Sequence, residues 1–333
     1  MKTIISQPEG TLDASVVAWL LEGDPAIRWQ TLRDLTNARE EALERERRKV
    51  STEGWGARLL AVQDDSGLWA SGLYSPKWTS TTYTMLLLRQ FGLEPSHPKA
   101  QKACWQLLNR GFFRDGGINF FASFKHSETC VTGMILSILA HFQYPDGRVL
   151  RLVDHLLGQQ MPDGGWNCES YAGATHSSFH TTISVLEGLR ELERVNPYRD
   201  SELRAARSRA CEFLLVHRLF RSHRTGEVVD SRMTRFSFPP RWHYDILRAL
   251  DYLQEVRLPL DSRLNDALEI VRQRRGEDGR WILQNRYAGK TFFELEAPGK
   301  PSRWNTLRAL RVLRWFEAKK RPDSELPLSR ATR

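Results

Sequence analysis

The chain has 333 residues, 41% hydrophobic, 10% aromatic and 27% charged, which excludes a disordered or collagen-like protein and supplies a large core. Its longest uninterrupted apolar stretch, from Val16 to Leu21, is six residues against the roughly 20 needed to cross a bilayer, and Met1 to Gly10 is polar, so the expectation is no transmembrane segment and a cytoplasmic location. The net charge of +9, from 49 basic and 40 acidic residues, points to an anionic partner, while four cysteines are too sparse for a disulfide framework.

Helical patterns then alternate along the chain. An amphipathic stretch near 12–22 precedes a helix near 25–37 that carries I-R-W-Q-T-L-R-D-L from Ile27 to Leu35. A charged stretch, 40–63, leads through Gln63-Asp64-Asp65-Ser66-Gly67-Leu68-Trp69 to an apolar helix at 78–92. The same alternation continues with 98–110, the turn Asp115-Gly116-Gly117-Ile118 and an apolar helix at 127–143. It repeats with 147–160, the turn Gln160-Met161-Pro162-Asp163-Gly164-Gly165-Trp166 and 177–192. Next come 199–217, a basic segment and 240–255, then 262–275, the turn from Gln273 to Trp281 and 302–317, with a tail from about 320 outside the fold. The Asp-Gly pairs end a helix and permit positive φ, while the Trp can plug the seam between neighbouring units.

Six buried helices alternating with six charged ones predict an all-α chain forming an α/α toroid over residues 1–333: an inner barrel inside an outer ring, as a single domain. An open solenoid is the alternative, but S-R-W-N-T-L-R-A-L from Ser302 to Leu310 repeats six of nine positions of the N-terminal unit, which favours closure. Closure gathers the starts of all inner helices at one mouth. Arg28 and Arg303 then sit at equivalent inner-helix starts, with Glu294 and Glu296 as expected partners.

With these repeats the chain resembles the terpenoid cyclase and protein prenyltransferase toroids, and Gln160 to Trp166 is similar to the repeat motif of squalene-hopene cyclases. The motif is architectural and implies fold more than reaction. The Asp-x-Asp-Asp acid of class II cyclases is missing, because Asp64-Asp65 lacks the earlier Asp. The resemblance to prenyltransferase beta subunits implies a zinc ion held by Glu128, Cys130 and His180, with Lys125 near a diphosphate. It also implies a second protein subunit. The chain departs in having Glu where that family has Asp, and in reaching Leu186-Glu187-Gly188-Leu189 one residue late.

The residues point the same way without the family, since Cys130 and His180 stand 50 residues apart at equivalent places on adjacent inner helices. Three such ligands would leave zinc an open position for a thiol or water. Cys168 and His176, in the loop before His180, are alternative ligands. The competing reading makes Cys130 a small buried hydrophobe and His180 a satisfied polar residue. Cys104 and Cys211 read as core.

The segment from Arg218 to Arg241 holds six Arg, and Arg218, Arg221, Arg224 and Arg241 are candidates, with Lys125, to bind an anionic group at the mouth. No helix-turn-helix or zinc-finger spacing is present, so nucleic acid is not the expected partner. The leading expectation is a zinc-dependent, prenyltransferase-like enzyme acting on an isoprenoid diphosphate or other anion. The alternatives are a metal-free terpenoid-binding or squalene-cyclase-like protein and a non-enzymatic toroid that presents its rim to a protein partner.

Overall fold

The computed structural model describes residues 12–196 and 200–320. Its helices are α1 (Ala14–Leu21), α2 (Pro25–Leu35), α3 (Glu40–Arg48), α4 (Gly54–Ala61), α5 (Thr81–Phe91), α6 (Pro98–Gly111) and α7 (Thr129–His141). They continue with α8 (Arg148–Gly158), α9 (Phe179–Val195), α10 (Asp200–Val216), α11 (Ile246–Glu255), α12 (Asn265–Gln273) and α13 (Arg303–Lys320). The expected tail beyond 320 lies outside the described residues.

The repeated turns work as joints. Trp69, Trp166 and Trp281 are fully buried, and each indole N–H donates to a carbonyl ten residues earlier, on Leu59, Leu156 and Val271, at 2.7 Å. Each Trp backbone N–H donates to a Thr hydroxyl of the inner helix that follows, Thr81 (3.1 Å), Thr182 (3.0 Å) and Thr306 (3.0 Å). Ile118 repeats this on Thr132 (2.9 Å). Every joint therefore ties an outer helix to an inner one through buried groups that would otherwise lack partners.

The leading Gln clasps the next outer helix. Gln63 Nε2 donates to Gly67 and to Lys99 of α6, and Gln160 Nε2 to Gly164 and to Ala206 of α10. Gln273 does not follow suit, because it stands eight rather than six residues before its Trp, and it bonds Glu269 instead.

Contacts run from α2 to α5, α5 to α7, α7 to α9 and α11 to α13, and α13 returns to α2. The remaining seam, α9 to α11, is bridged by the Arg248–Glu187 ion pair at 2.7 Å. The ring of inner helices is closed: Arg303 Nε reaches the Trp19 carbonyl (3.0 Å) and Arg311 pairs with Asp34 (3.0 Å). The chain is an α/α toroid, as its repeats predict. Where α7 and α9 cross, a Cβ at Gly133 would lie 2.8 Å from the Val185 backbone and one at Gly188 2.6 Å from the Gly133 carbonyl, so glycine sets their spacing.

Boundaries differ from expectation in two places. The stretch 40–63 is not one helix but α3, a 3₁₀ turn at Lys49–Ser51 and α4, broken where Gly54 takes a φ of 66°. Helix α11 begins at Ile246 rather than 240, because the chain after Pro239 and Pro240 turns through Arg241 (φ 59°), with the His243 amide donating to the Pro240 carbonyl (3.0 Å), and Asp245 caps the helix through the Arg248 amide (2.8 Å). Arg28 turns to Glu46 and the Gly23 carbonyl, not to another repeat. Glu296 receives the Ser302 hydroxyl and the Arg303 amide, while Glu294 pairs with Arg286.

Candidate functional site

The mouth lies where the inner helices begin, and two groups of side chains fill it. Around the α7 and α9 starts, Cys168 opens a 3₁₀ turn (Cys168–Ala172) and places its sulfur 3.1 Å from the Cys130 amide and 3.5 Å from Thr181 Oγ1. Hydrogen bonding from Cys130 and Thr181 draws the Cys168 thiol below its ordinary pKa against the opposing effect of burial, whereas the Cys130 thiol is pushed up. Burial raises the Glu128 carboxyl, and its Oε2 is buried without a partner among the described residues. Tyr74 adjoins this group and hydrogen-bonds Tyr83 through their hydroxyls (2.8 Å), with Phe121 5.6 Å away, ring to ring.

The second group surrounds His180. Its Nδ1 accepts the Tyr244 backbone N–H (2.8 Å), and burial pushes its pKa down to about 4. Trp242, His243 and Tyr287 form a stack with centroid spacings of 3.7 and 3.6 Å, and burial with the neighbouring His180 pushes His243 down to about 3. Tyr287 belongs to the 284–300 segment before α13, which crosses the mouth as a strap. There, Trp78 donates from its indole to Ala288 and from its backbone to Lys290, both at 2.9 Å.

Two cations point at these rings. Lys77 Nζ lies 5.4 Å from the Tyr74 centroid and 5.8 Å from those of Trp78 and Trp242. The Arg241 guanidinium sits 5.3 Å over Trp78, burial lowers its pKa to about 10, and its Nη1 is buried without a partner among the described residues. The other predicted basic residues are placed elsewhere. Arg218 and Arg221 pair with Asp266 of outer helix α12 at 3.7 and 3.0 Å, and Arg224 and Lys125 are exposed.

The expected zinc ligands are only partly brought together. Cys130 and Cys168 meet and Glu128 adjoins them, but His176 is exposed and His180 is engaged with Tyr244. With Nδ1 accepting a hydrogen bond, the ring proton of neutral His180 is on Nε2, leaving no free lone pair for a metal. Among the described residues no three His, Cys, Asp or Glu side chains are grouped to hold an ion. As placed, this set does not fit zinc.

Below the mouth the barrel is lined by ion pairs, not by an apolar wall. Glu187 accepts from Arg248 (2.7 Å) and Arg89 (3.0 Å), Glu191 from Arg89 (2.9 Å), and Asp251 joins Arg308 (3.4 Å) to Arg311 (3.2 Å). Burial would raise Glu191, but His141 and Arg89 bring it to about 2. A cavity of about 520 Å³ occupies this ion-paired lumen, bounded by Phe238, Pro240 and Trp304 near inner-helix starts and by Arg47, Glu191 and Arg194 toward the other end.

Sequence reasoning missed Tyr74, Lys77, Trp78, His243 and Tyr287. Their signal was present as Y-S-P-K-W and W-H-Y, aromatic-basic clusters just ahead of inner-helix starts, and as N-R-Y in the long segment before α13.

No family model matches the chain, and no curated protein matches it. Among solved structures it is similar to a protein from Actinoplanes, with 16% identity over 91% of this chain and 99% of that one and a TM-score of 0.47. It is also similar to the type II terpene cyclase MstE from Scytonema without ligand, at 14% identity, 91% and 88% coverage and a TM-score of 0.45. A variant of that enzyme in complex with geranylgeranyl dihydroxybenzoate gives 16%, 92% and 95%, and 0.44. Among the described residues no helix is long and apolar enough to cross a membrane.

Proposed function

We propose that the mouth binds an amphiphilic anion: an isoprenoid-type chain with a phosphate, diphosphate or carboxylate head. The observation that carries this reading is Arg241, half-buried over Trp78, whose guanidinium Nη1 is buried without a partner among the described residues. A buried cation without a counter-charge is costly, and an anionic head would supply what the protein does not. Lys77 adds a second positive charge, and inner-helix N-termini add partial ones.

The chain of such a ligand would lie against Tyr74, Trp78, Phe121, Trp242 and Tyr287, whose faces favour apolar and cationic carbon alike. The strap would close over it and exclude water. The ion-paired lumen beneath is a poor solvent for hydrocarbon, so the ligand is held at the mouth rather than threaded through the barrel.

Calorimetry tests this with a C20 prenyl diphosphate, the matching alcohol and inorganic diphosphate. The diphosphate ester is expected to bind best, and Arg241→Gln to weaken it by about tenfold or more, the scale of one charge-assisted hydrogen bond. Equal affinity in wild type and variant, or no saturable binding, would overturn the reading. A second reading, that the 520 Å³ cavity in the lumen takes a polar zwitterion, is favoured by the Trp304 indole N–H, which lines it and is buried without a partner among the described residues.

A further inference from the structure

Two free thiols meet at the mouth, and the binding reading uses neither. Cys104 and Cys211 are buried, at 0% and 4% exposure, while Cys130 and Cys168 are each only partly buried. Cys168 is wedged between two helix starts. Its sulfur faces the amide of Cys130, the second residue of α7, at 3.1 Å, and the hydroxyl of Thr181, the third residue of α9, at 3.5 Å. Both groups donate toward one sulfur, and two helix N-termini add positive potential, an arrangement that favours negative charge on Cys168. Glu128, at the cap of α7, opposes it and Lys77 counters Glu128. The amide that touches Cys168 is Cys130's own, so the second thiol starts three bonds from the contact.

We infer that Cys168 and Cys130 form a redox-active thiol pair, with Cys168 attacked first by a hydroperoxide and Cys130 resolving it as an intramolecular disulfide. In the first step the Cys168 thiolate attacks the terminal peroxide oxygen and the O–O bond breaks. The sulfur is oxidised to sulfenic acid, and the peroxide is reduced to an alcohol, or to water in the case of hydrogen peroxide. In the second step the Cys130 sulfur attacks the Cys168 sulfur, an S–S bond forms, and the sulfenic hydroxyl leaves with the Cys130 proton as water. Two thiols and one hydroperoxide thus give one disulfide, one alcohol and one water. The two thiols already hydrogen-bond each other, and the disulfide would bring their sulfurs to about 2.05 Å. The inference is independent of the ligand reading.

The test treats the full chain with hydrogen peroxide, with and without prior metal chelation, and maps peptides without reduction. A Cys130–Cys168 cross-link is expected, formed at least about tenfold faster than any oxidation of the buried Cys104 and Cys211. In Cys130→Ser the reaction stops at a sulfenic acid on Cys168 that dimedone captures, and in Cys168→Ser residue 130 stays unmodified. The wild-type map needs no variant to fold. Separate oxidation of the two sulfurs without a cross-link, or first oxidation of Cys130, would overturn the inference. So would reactivity that appears only after chelation, which would assign the pair to a metal.

Discussion

With its Nδ1 facing the Tyr244 amide, His180 is held neutral, and the same burial that lowers it to about 4 acts on the stacked His243, lowered to about 3. Both values lie below the roughly 6.5 of an unfolded histidine, so the unfolded chain binds more protons in the interval between. Stability is therefore fully present above about pH 6.5 and falls as the pH drops toward 4. Melting temperatures across that window should decline in the wild type and decline less in His180→Asn, whose amide oxygen can still accept from Tyr244. A variant as acid-sensitive as the wild type would show that His180 is not held neutral. At this scale the sequence named Cys130, Cys168, Glu128, His180 and Arg241 as mouth residues, and what it did not show is the Tyr244 amide that His180 accepts from. Ligand spacing says where an imidazole starts, not which hydrogen bond claims its nitrogen.

Between residue and molecule, the inner helices were readable as buried because their apolar residues run almost all round. Less visible was that their charged positions, Arg89, Glu187, Arg248, Asp251, Arg308 and Arg311, converge on the lumen and join one helix to the next. Arg248 and Arg308 belong to the L-R-A-L repeats, which look like packing motifs until the barrel closes and sets them facing carboxylates from other helices. Glu187 neutralises Arg89 and Arg248, both almost wholly buried, so Glu187→Gln should cost on the order of 3 kcal/mol in chemical denaturation, the scale of breaking a buried pair from one side. A change within a few tenths would mean that solvent already screens the network. The strap was not legible as an element. It has no periodicity, and its position depends on Trp78, more than two hundred residues earlier in the chain.

For the whole molecule, the similarity of the two chain ends foretold closure, because units that pack identically can satisfy each other. The closing seam joins α13 to α2 and α1 through Arg311–Asp34 and the Arg303–Trp19 contact. A closed ring should open as one unit. Hydrogen-exchange protection of α2 and α13 is therefore expected to be lost at the same denaturant concentration, whereas an open solenoid would release one end before the other. Early loss at α13 alone would contradict a closed ring.

Where the ligand sits is the claim from which the functional account follows, and photoaffinity labelling reads it directly. A prenyl diphosphate bearing a diazirine on its chain should label the mouth peptides containing Trp78, Phe121, Trp242 and Tyr287, and unlabelled prenyl diphosphate should suppress that labelling. Competable labelling in the lumen cavity instead, around Arg47 and Tyr252, would contradict the account and move the site into the barrel.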